Sequence, residues 1–389
     1  MKITDIKCFV VDCYRTNWVF VKMFTDEGLY GVGEGTLEYK EHALVGAIED
    51  LKRYLIGKNP RQIEFHVMTM YRDAYWRGGA VLMSALSAVE MCMWDILGKS
   101  LGVPVSTMLG GQVRDRVPLY ANGWFSGAKT PEEFGKMARH TVSLGVKALK
   151  WDPFGKAYME ITNSELDQAL ACIAAVRQAV GNEVDILIEG HGRFNIASAL
   201  TIAKELEQFK PLWFEEPIPP DNIDALAEVR SKSPVRIAGG ERLYSKYDFR
   251  VLFEKRAVDY IQPDVSHAGG LLELKKISAM AESYYVSFAP HNPSGPIATA
   301  ATLQLAACSP NFKLLEIMIT DVPWRKDITD EHLMYEDGCI KIPLKPGLGI
   351  DFDESVALEH PYRPVDLRHY RGDLTEIRPE NSIYYFIDK

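Results

Sequence analysis

The chain has 389 residues, of which 47% are hydrophobic and 25% charged, and its net charge is −9. A chain of this length holds one barrel with an accessory domain, or about two to three domains of average size. The negative charge and the lack of a Lys/Arg-rich run argue against nucleic acid as a partner. Because the charge of a binding site is local, the overall acidity does not exclude an acidic substrate.

The six cysteines are scattered, without a CxxC pair or a framework of short spacings. This pattern is typical of reduced thiols, and it predicts a cytoplasmic protein. The N-terminal segment alternates like a strand and lacks the apolar stretch of a signal peptide. We expect no membrane partner either, because no segment approaches the roughly 18 apolar residues of a membrane helix.

The first part of the chain combines strands with helices. The segments IKCFVVDCY and NWVFVKMFTDEGLYGVGEGT predict a hairpin, with a turn at residues 26–28. Helical patterns follow in EHALVGAIEDLKRYLIG, around EFHVMTMYRDAYW and in SALSAVEMCMWDILGKSLG, and the last has stop signals in Gly98, Gly102 and Pro104. We predict an α+β domain over residues 1–116.

From Val117 onwards, short apolar runs alternate about eight times with amphipathic helical stretches, at intervals of roughly 25 residues. Eight such units close a (β/α)8 barrel. A doubly wound open sheet is the alternative, but the first run lacks the Gly-rich fingerprint typical of that fold. We predict the barrel over residues 117–335 and a segment, 336–389, that returns to the first domain. The predicted strands are VPLYANG, VKALKWDP, DILIEGHG, PLWFEEP, RIAGGE, DYIQPDVS, VSFAPHN and KLLEIMI.

Nearly every predicted barrel strand ends in an ionisable residue. Active sites of such barrels form at the C-terminal ends of the strands, so these side chains should converge. The residues are Lys150, Asp152, Glu189, His191, Glu215, Glu216, Glu241, Asp264, His291 and Glu316.

Three successive strands end in Glu189, Glu215 and Glu241, at intervals of 26 residues. Carboxylates that share a confined site repel one another, so a cation should hold them. All-oxygen ligation with room for water and substrate favours Mg2+. The alternative for each glutamate is a surface position or an ion pair with Arg242 or Lys246.

Two histidines have acidic neighbours at the strand ends. Asp264 could fix the tautomer of His291 and so make it a general base. His191 lies two residues after Glu189, on the same side of an extended strand, where it could exchange a proton near the metal. Glu316 could contact a substrate carboxylate or orient another group, and an ion pair with Arg242 or Lys150 is the alternative.

These motifs resemble the enolase superfamily, in its mandelate racemase subgroup, and within it the gluconate/galactonate dehydratase-like enzymes. The resemblance runs along almost the whole chain. It is carried by ALSAVEMCMWDILGKSLGVPVSTMLGG, RDRVPLYANGW, VKALKWDPFG, ILIEGHGRFN, WFEEPI, AGGERL, IQPDVSHAGG, APHNPSGP and KPGLGID.

The resemblance implies a Mg2+-dependent acid-sugar dehydratase with one ion per subunit. By position, it implies Glu189, Glu215 and Glu241 as ligands. Within the EEP motif the ligand is therefore the first glutamate, Glu215, and not Glu216. It implies His291 with Asp264 as the base that removes the α-proton. The acid that protonates the leaving hydroxyl is then His191, and Glu316 lies beside the carboxylate of the intermediate.

The sequence departs from the family pattern at two positions. Glu189 stands where many relatives have Asp, so the side chain is longer and the charge is the same. The racemases of the subgroup have a KxK pair on the second strand, whereas this chain has Lys150-Trp151-Asp152. Asp is a far weaker base than such a lysine, so two-base racemisation is disfavoured. We expect Lys150 and Asp152 to contact the substrate.

The first domain should cover the barrel mouth and select the polyol tail through Tyr14, Arg15 and Trp18, with Trp76 and Arg77 as further candidates. The predicted substrate is an aldonate such as gluconate or galactonate, and a pentonate or aldarate is the alternative. A racemase or epimerase on the same scaffold, a metal-independent glycosidase and a non-catalytic binding protein also remain open. The family resemblance further implies a homo-oligomer.

Overall fold

In the computed structural model, which describes residues 1–330, 333, 335–367, 378–385 and 387, the chain begins with an antiparallel sheet. Its strands are β1 (Ile3–Asp12), β2 (Asn17–Thr25) and β3 (Tyr30–Glu34), paired in chain order. Helices α1 (Glu41–Leu55) and α3 (Ala80–Leu101) pack on the sheet, and α2 (Ile63–Arg72) packs on α3. A short helix, α4 (Val105–Met108), leads to the second part of the chain.

Helix α3 packs directly on β3 because two glycines of the GVGEG segment leave room for it. A Cβ atom at Gly31 would lie 2.1 Å from the carbonyl oxygen of Cys92, and one at Gly33 would lie 2.0 Å from that of Ala88. By length and composition α3 could span a membrane, contrary to our expectation, but most of it is buried inside the protein. The helix ends at Leu101, where Gly102 takes the left-handed conformation (φ +71°).

Eight parallel strands then alternate with seven helices. The strands are β4 (Arg116–Asn122), β5 (Ala148–Trp151), β6 (Asp185–Glu189), β7 (Trp213–Glu215), β8 (Ile237–Gly239), β9 (Tyr260–Ile261), β10 (Ser287–Phe288) and β11 (Leu315–Met318). The helices are α5 (Pro131–Ser143), α6 (Asn163–Val180), α7 (Ile196–Leu206), α8 (Ile223–Lys232), α9 (Lys246–Glu254), α10 (Gly270–Ser283) and α11 (Pro296–Ala307).

The strands form a closed ring. Strands β4 to β10 pair in chain order, and β11 pairs with β4. The remaining gap, between β10 and β11, is bridged by Phe288 and Phe312. This arrangement confirms the predicted barrel with an N-terminal cap.

The alternation of side chains along the strands places the polar residues above an apolar layer. The layer takes one buried residue from each strand or its edge, and two from β7. Two residues further along most strands lies one of the predicted site residues. The layer consists of Tyr120, Ala148, Leu187, Leu212, Trp213, Ala238, Tyr260, Ala289 and Leu314.

The segment after the barrel first extends the barrel sheet. Strands β12 (Tyr335–Glu336) and β13 (Cys339–Lys341) form a hairpin whose second strand pairs antiparallel with β4. The chain then contacts the cap: Asp95 accepts the backbone N–H of Leu348 at 2.9 Å, and helix α12 (Glu354–Glu359) packs on β1. The domain boundary predicted at residue 336 lies within β12, and residues 368–377 of the predicted tail lie outside the described residues.

Two buried glutamates of the cap domain bind the N-termini of barrel helices. Glu90 of α3 accepts the N–H groups of Leu271 and Leu272 at 2.9 Å each, at the start of α10. Glu34 of β3 accepts those of Gly295 and Ala298 at 2.6 and 2.9 Å, at the start of α11. The first N–H groups of a helix lack partners within it, so these carboxylates satisfy donors that burial would otherwise leave unpaired.

Replacing Glu90 with leucine should lower the free energy of unfolding by about 1–3 kcal/mol, because buried N–H groups of α10 lose their acceptor. The milder Glu90→Gln keeps an acceptor oxygen and should cost less. Differential scanning calorimetry measures the change. Glu49→Leu, at an exposed position of α1, is the matched control and should stay within about 0.5 kcal/mol. Equal melting temperatures of Glu90→Leu and Glu49→Leu would show that the contact between Glu90 and the start of α10 does not stabilise the protein.

Candidate active site

Polar residues from all eight barrel strands meet at the C-terminal end of the barrel. Most lie at the last residue of a strand or within three residues after it, which is why the sequence pattern located all of them except Asn122. In strand order they are Asn122, Lys150 with Asp152, Glu189 with His191, Glu215, Glu241, Asp264, His291 and Glu316.

The three predicted ligands lie together. One oxygen from each of Glu189, Glu215 and Glu241 lies within 4.8 Å of the other two, and the first two side chains are buried. Burial, and then the neighbouring Glu189, raise the pKa of Glu215 to about 8, although Lys150 opposes this shift. The raised pKa is the expected result of placing carboxylates side by side out of water.

This cluster can hold a cation. The Oε2 atom of Glu189 is buried, with the Lys150 ammonium 3.2 Å away, and the set offers only oxygen atoms, as hard divalent cations prefer. The indole N–H of Trp213 donates to Oε2 of Glu215 at 2.8 Å, which fixes the orientation of that carboxylate. The second glutamate of the EEP motif, Glu216, instead forms an ion pair with Arg242.

Lys150 lies among the carboxylates. Its ammonium is 2.6 Å from Glu215, 3.0 Å from Glu316 and 3.2 Å from Glu189. Burial lowers the pKa of Lys150, but Glu215 and Glu316 outweigh burial and hold the pKa well above its usual value. Lys150 is therefore a permanent cation of the site.

Glu316 is held by three neighbouring donors. Oε1 accepts from Asn122 at 2.8 Å as well as from Lys150, and Oε2 accepts the backbone N–H of Asn292 at 3.1 Å. Burial would raise the pKa of Glu316, but Lys150 and then His291 lower it to about 2. An ionised carboxylate is an acceptor only, so Glu316 cannot donate a hydrogen bond to a substrate carboxylate.

His291 and Asp264 form a buried pair. The Nδ1 atom of His291 lies 2.7 Å from Oδ2 of Asp264, and Nε2 lies 3.6 Å from Oε2 of Glu241. Asp264 is held in turn by the backbone N–H of Ser266 at 2.6 Å. Burial lowers the pKa of His291, but Glu241 and Asp264 raise it to about 10 in the absence of a bound cation.

His191 belongs to a second pair of the same kind. Its Nδ1 atom lies 2.6 Å from Oδ2 of Asp152, and its backbone N–H donates to Oε1 of Glu189 at 2.7 Å. Burial lowers the pKa of His191, but Glu189 and Asp152 raise it to about 9. His191 follows the third barrel strand and His291 the seventh, so the two imidazoles project from opposite sides of the ring.

The predicted cap residues differ in position. Arg15 forms an ion pair with Glu38 and donates to the carbonyl oxygen of Pro293, 3.2 Å away, in the loop that carries His291. Tyr14 lies beside the guanidinium of Arg363, which donates to its carbonyl oxygen.

Trp18 is placed differently from the prediction. It is only 1% exposed, its ring packs on Phe20, and the guanidinium of Arg325 lies 5.6 Å from the ring centroid. This burial gives Trp18 a packing position, because a strand residue of the cap sheet faces the core. Trp76 and Arg77 line a cavity of about 730 Å3 between α1, α2 and α3, to which the strand-end residues do not contribute.

Four residues that hold the site together are not among those predicted from the sequence. Asn122 and Asn292 bind Glu316, Trp213 binds Glu215, and Arg193 binds Asp152. Asn122 had a recoverable signal, because it ends the first barrel strand. Arg193 follows a turn in which His191 and Gly192 have positive φ, so no strand spacing locates it. Asn292 acts through its backbone N–H and its side-chain amide, and Trp213 through its ring nitrogen. A search for ionisable residues does not detect such groups.

Two family descriptions match the sequence. Residues 6–110 match the N-terminal domain of the mandelate racemase / muconate lactonizing enzyme family, and residues 133–356 match the enolase C-terminal domain-like family. Together they cover most of both domains of the structure.

Relatives and solved structures agree with this match. The chain is 38% identical to a D-galactonate dehydratase of Ralstonia pickettii, over 95% of this chain and 97% of the relative. It is 36% identical to a D-gluconate dehydratase of Thermoproteus tenax, over 92% of this chain and 71% of the relative. The structure of a mandelate racemase/muconate lactonizing enzyme from Jannaschia sp. CCS1 superimposes with a TM-score of 0.89 at 32% identity, covering 94% of this chain and 99% of that one.

These relatives are enzymes, which confirms the prediction that this chain is one. The chain belongs to the enolase superfamily, in its mandelate racemase subgroup.

Proposed function

We propose that this enzyme is a Mg2+-dependent sugar-acid dehydratase that converts an aldonate such as gluconate or galactonate into a 2-keto-3-deoxy acid. The observation that carries the proposal is the pair of Asp–His dyads on opposite sides of a three-carboxylate centre. One histidine can then remove a proton while the other donates one, as the loss of water from a sugar acid requires.

The ion would be held by Glu189, Glu215 and Glu241, one ion per subunit. When bound, Mg2+ would supply positive charge that stabilises an enediolate and offsets the field of Glu241 on His291. Two observations support this role: the three carboxylates offer oxygen atoms within 4.8 Å of one another, and burial and then Glu189 raise the pKa of Glu215.

His291 is the proposed general base. Asp264 binds Nδ1, so Nε2 is the atom that takes the α-proton of the substrate. The electrons of the broken C–H bond pass into the carboxylate and give the enediolate. Lys150 contributes a fixed positive charge to this end of the site, and Glu316, held ionised, keeps Lys150 and the Asn292 loop in place.

His191 is the proposed general acid. Asp152 binds Nδ1 and favours the charged imidazolium, so Nε2 can deliver a proton to the β-hydroxyl. The C–O bond then breaks, water leaves, and the enol tautomerises to the keto acid.

A racemase or epimerase is less well supported. Such an enzyme needs a second base, and the residues on the second barrel strand do not supply one. Lys150 has a pKa well above its usual value, and Asp152 is occupied by His191 and Arg193.

The names of the relatives support a six-carbon aldonate, because the matches cover more than nine-tenths of this chain. A pentonate or an aldarate differs from these acids only in the tail that faces the cap. The homo-oligomeric state and the cytoplasmic location stay predictions.

The purified enzyme with Mg2+ should form a 2-keto-3-deoxy acid from one or two members of a panel of aldonates, pentonates and aldarates. Semicarbazide trapping detects the product. His291→Asn should reduce the rate by about a hundredfold to ten-thousandfold, because a general base contributes that much, and EDTA should abolish the activity. The exposed His140→Asn is the control and should keep it. No product from any acid, or full activity in His291→Asn, would contradict the proposal.

The roles of His191 and His291 should be distinguishable when the reaction is run in D2O. His191→Asn should lose most of the keto product but still exchange the α-proton of the recovered substrate, since His291 remains. His291→Asn should lose both reactions. Proton NMR of the substrate and product measures both rates in one sample. Exchange that survives in His291→Asn and disappears in His191→Asn would reverse the assigned roles.

A further inference from the structure

Asp152 was expected to contact the substrate, but its carboxylate is fully used inside the protein. Oδ2 accepts from His191 at 2.6 Å and from Arg193 at 2.7 Å, while Oδ1 accepts from Arg193 at 2.7 Å and from the backbone N–H of Phe154 at 2.9 Å. A carboxylate offers about four acceptor positions, and these four bonds fill them. No acceptor position of Asp152 is left for a substrate hydroxyl.

Arg193 joins the loops that follow the second and third barrel strands. It is 1% exposed, and besides Asp152 it binds the carbonyl oxygen of Gly155 at 2.7 Å and that of Gly190 at 3.1 Å. The backbone N–H of Met159 also donates to the carbonyl oxygen of Arg193 at 2.8 Å. The planar guanidinium therefore fixes Asp152 relative to the loop that carries His191.

We propose that Asp152 and Arg193 are positioning residues for the elimination step: they hold the His191 ring by Nδ1 and present Nε2 to the departing hydroxyl. The inference rests on the proposed function, and it replaces the expected substrate contact of Asp152. The arrangement parallels the other dyad, in which Asp264 holds Nδ1 of His291 and a backbone N–H holds Asp264. Here an arginine completes the support, so the acid and the base have separate supporting groups.

The groups that hold His191 and those that hold His291 should affect different steps of the reaction. The base breaks the α C–H bond, and the acid assists the breaking of the β C–O bond. Damage to the Asp152–Arg193 pair should therefore slow the loss of water and leave removal of the α-proton largely intact. A residue that bound the sugar would instead raise KM and slow both steps together.

The test compares Asp152→Asn and Arg193→Lys with wild type on the aldonate that gives keto product. The kcat for dehydration should fall about 10–100-fold, the usual cost of removing a supporting group, with KM changed less than about threefold. Exchange of the α-proton in D2O should stay within about threefold of wild type. A substrate analogue with fluorine in place of the β-hydroxyl should react near the wild-type rate, because fluoride leaves without a proton from His191.

Arg177→Lys is the matched control. Arg177 also ties loops together through carbonyl oxygens, those of Phe209, Gly181 and Val184, but at the opposite end of the barrel. Its replacement should lower the melting temperature and leave the ratio of dehydration to exchange unchanged. Arg193→Lys keeps the positive charge but removes the planar guanidinium that binds several acceptors at once. This variant therefore remains informative if Asp152→Asn does not fold.

Dehydration at the wild-type rate in both variants would overturn the proposal. So would an equal fall in dehydration, exchange and fluoride elimination, which would indicate a substrate contact or general damage. Failure of the proposed function is distinguishable, because it would appear as no keto product from the wild-type enzyme.

Discussion

Four buried or nearly buried carboxylates converge at one end of the barrel, and their mutual repulsion is the constraint on which the site depends. Glu189, Glu215 and Glu241 face one another, and Glu316 joins them through Lys150. Lys150 contacts three of the four and so supplies one positive charge. One ammonium does not balance four carboxylates, and burial and then the neighbouring Glu189 raise the pKa of Glu215. A divalent cation at this point relieves the repulsion and creates the electrostatic centre that the chemistry needs.

The cap domain contributes to this centre by holding the loops that carry the reactive groups. Glu90 binds the start of α10, just after the loop of Asp264, and Glu34 binds the start of α11, just after the loop of His291. Between them, the Nδ1 atom of His267 lies 2.8 Å from the hydroxyl of Ser84 on α3. The cap therefore does more than cover the barrel mouth, since its packing sets the position of one whole dyad.

The sequence predicted those parts of the site that depend on backbone periodicity. The 26-residue interval from Glu189 to Glu215 and on to Glu241 is one β/α unit, so convergence follows from the fold alone. It could not predict where Asp152 and Trp18 point, because rotamers and the packing of distant segments decide that. Trp18 packs with Arg325 and Asp152 with Arg193, and neither partner is evident from local spacing. The helix-binding roles of Glu34 and Glu90 likewise join residues about 180 to 260 positions apart.

Calorimetric titration of Mg2+ into the metal-free enzyme tests the account most directly. Glu241→Gln removes one proposed ligand, and Glu216→Gln changes a neighbouring glutamate that pairs with Arg242 instead. The account predicts one ion per chain in wild type and in Glu216→Gln, and binding weakened by at least about tenfold in Glu241→Gln. Equal binding in both variants, or no binding to the wild-type chain, would contradict the claim that the three carboxylates form a cation site.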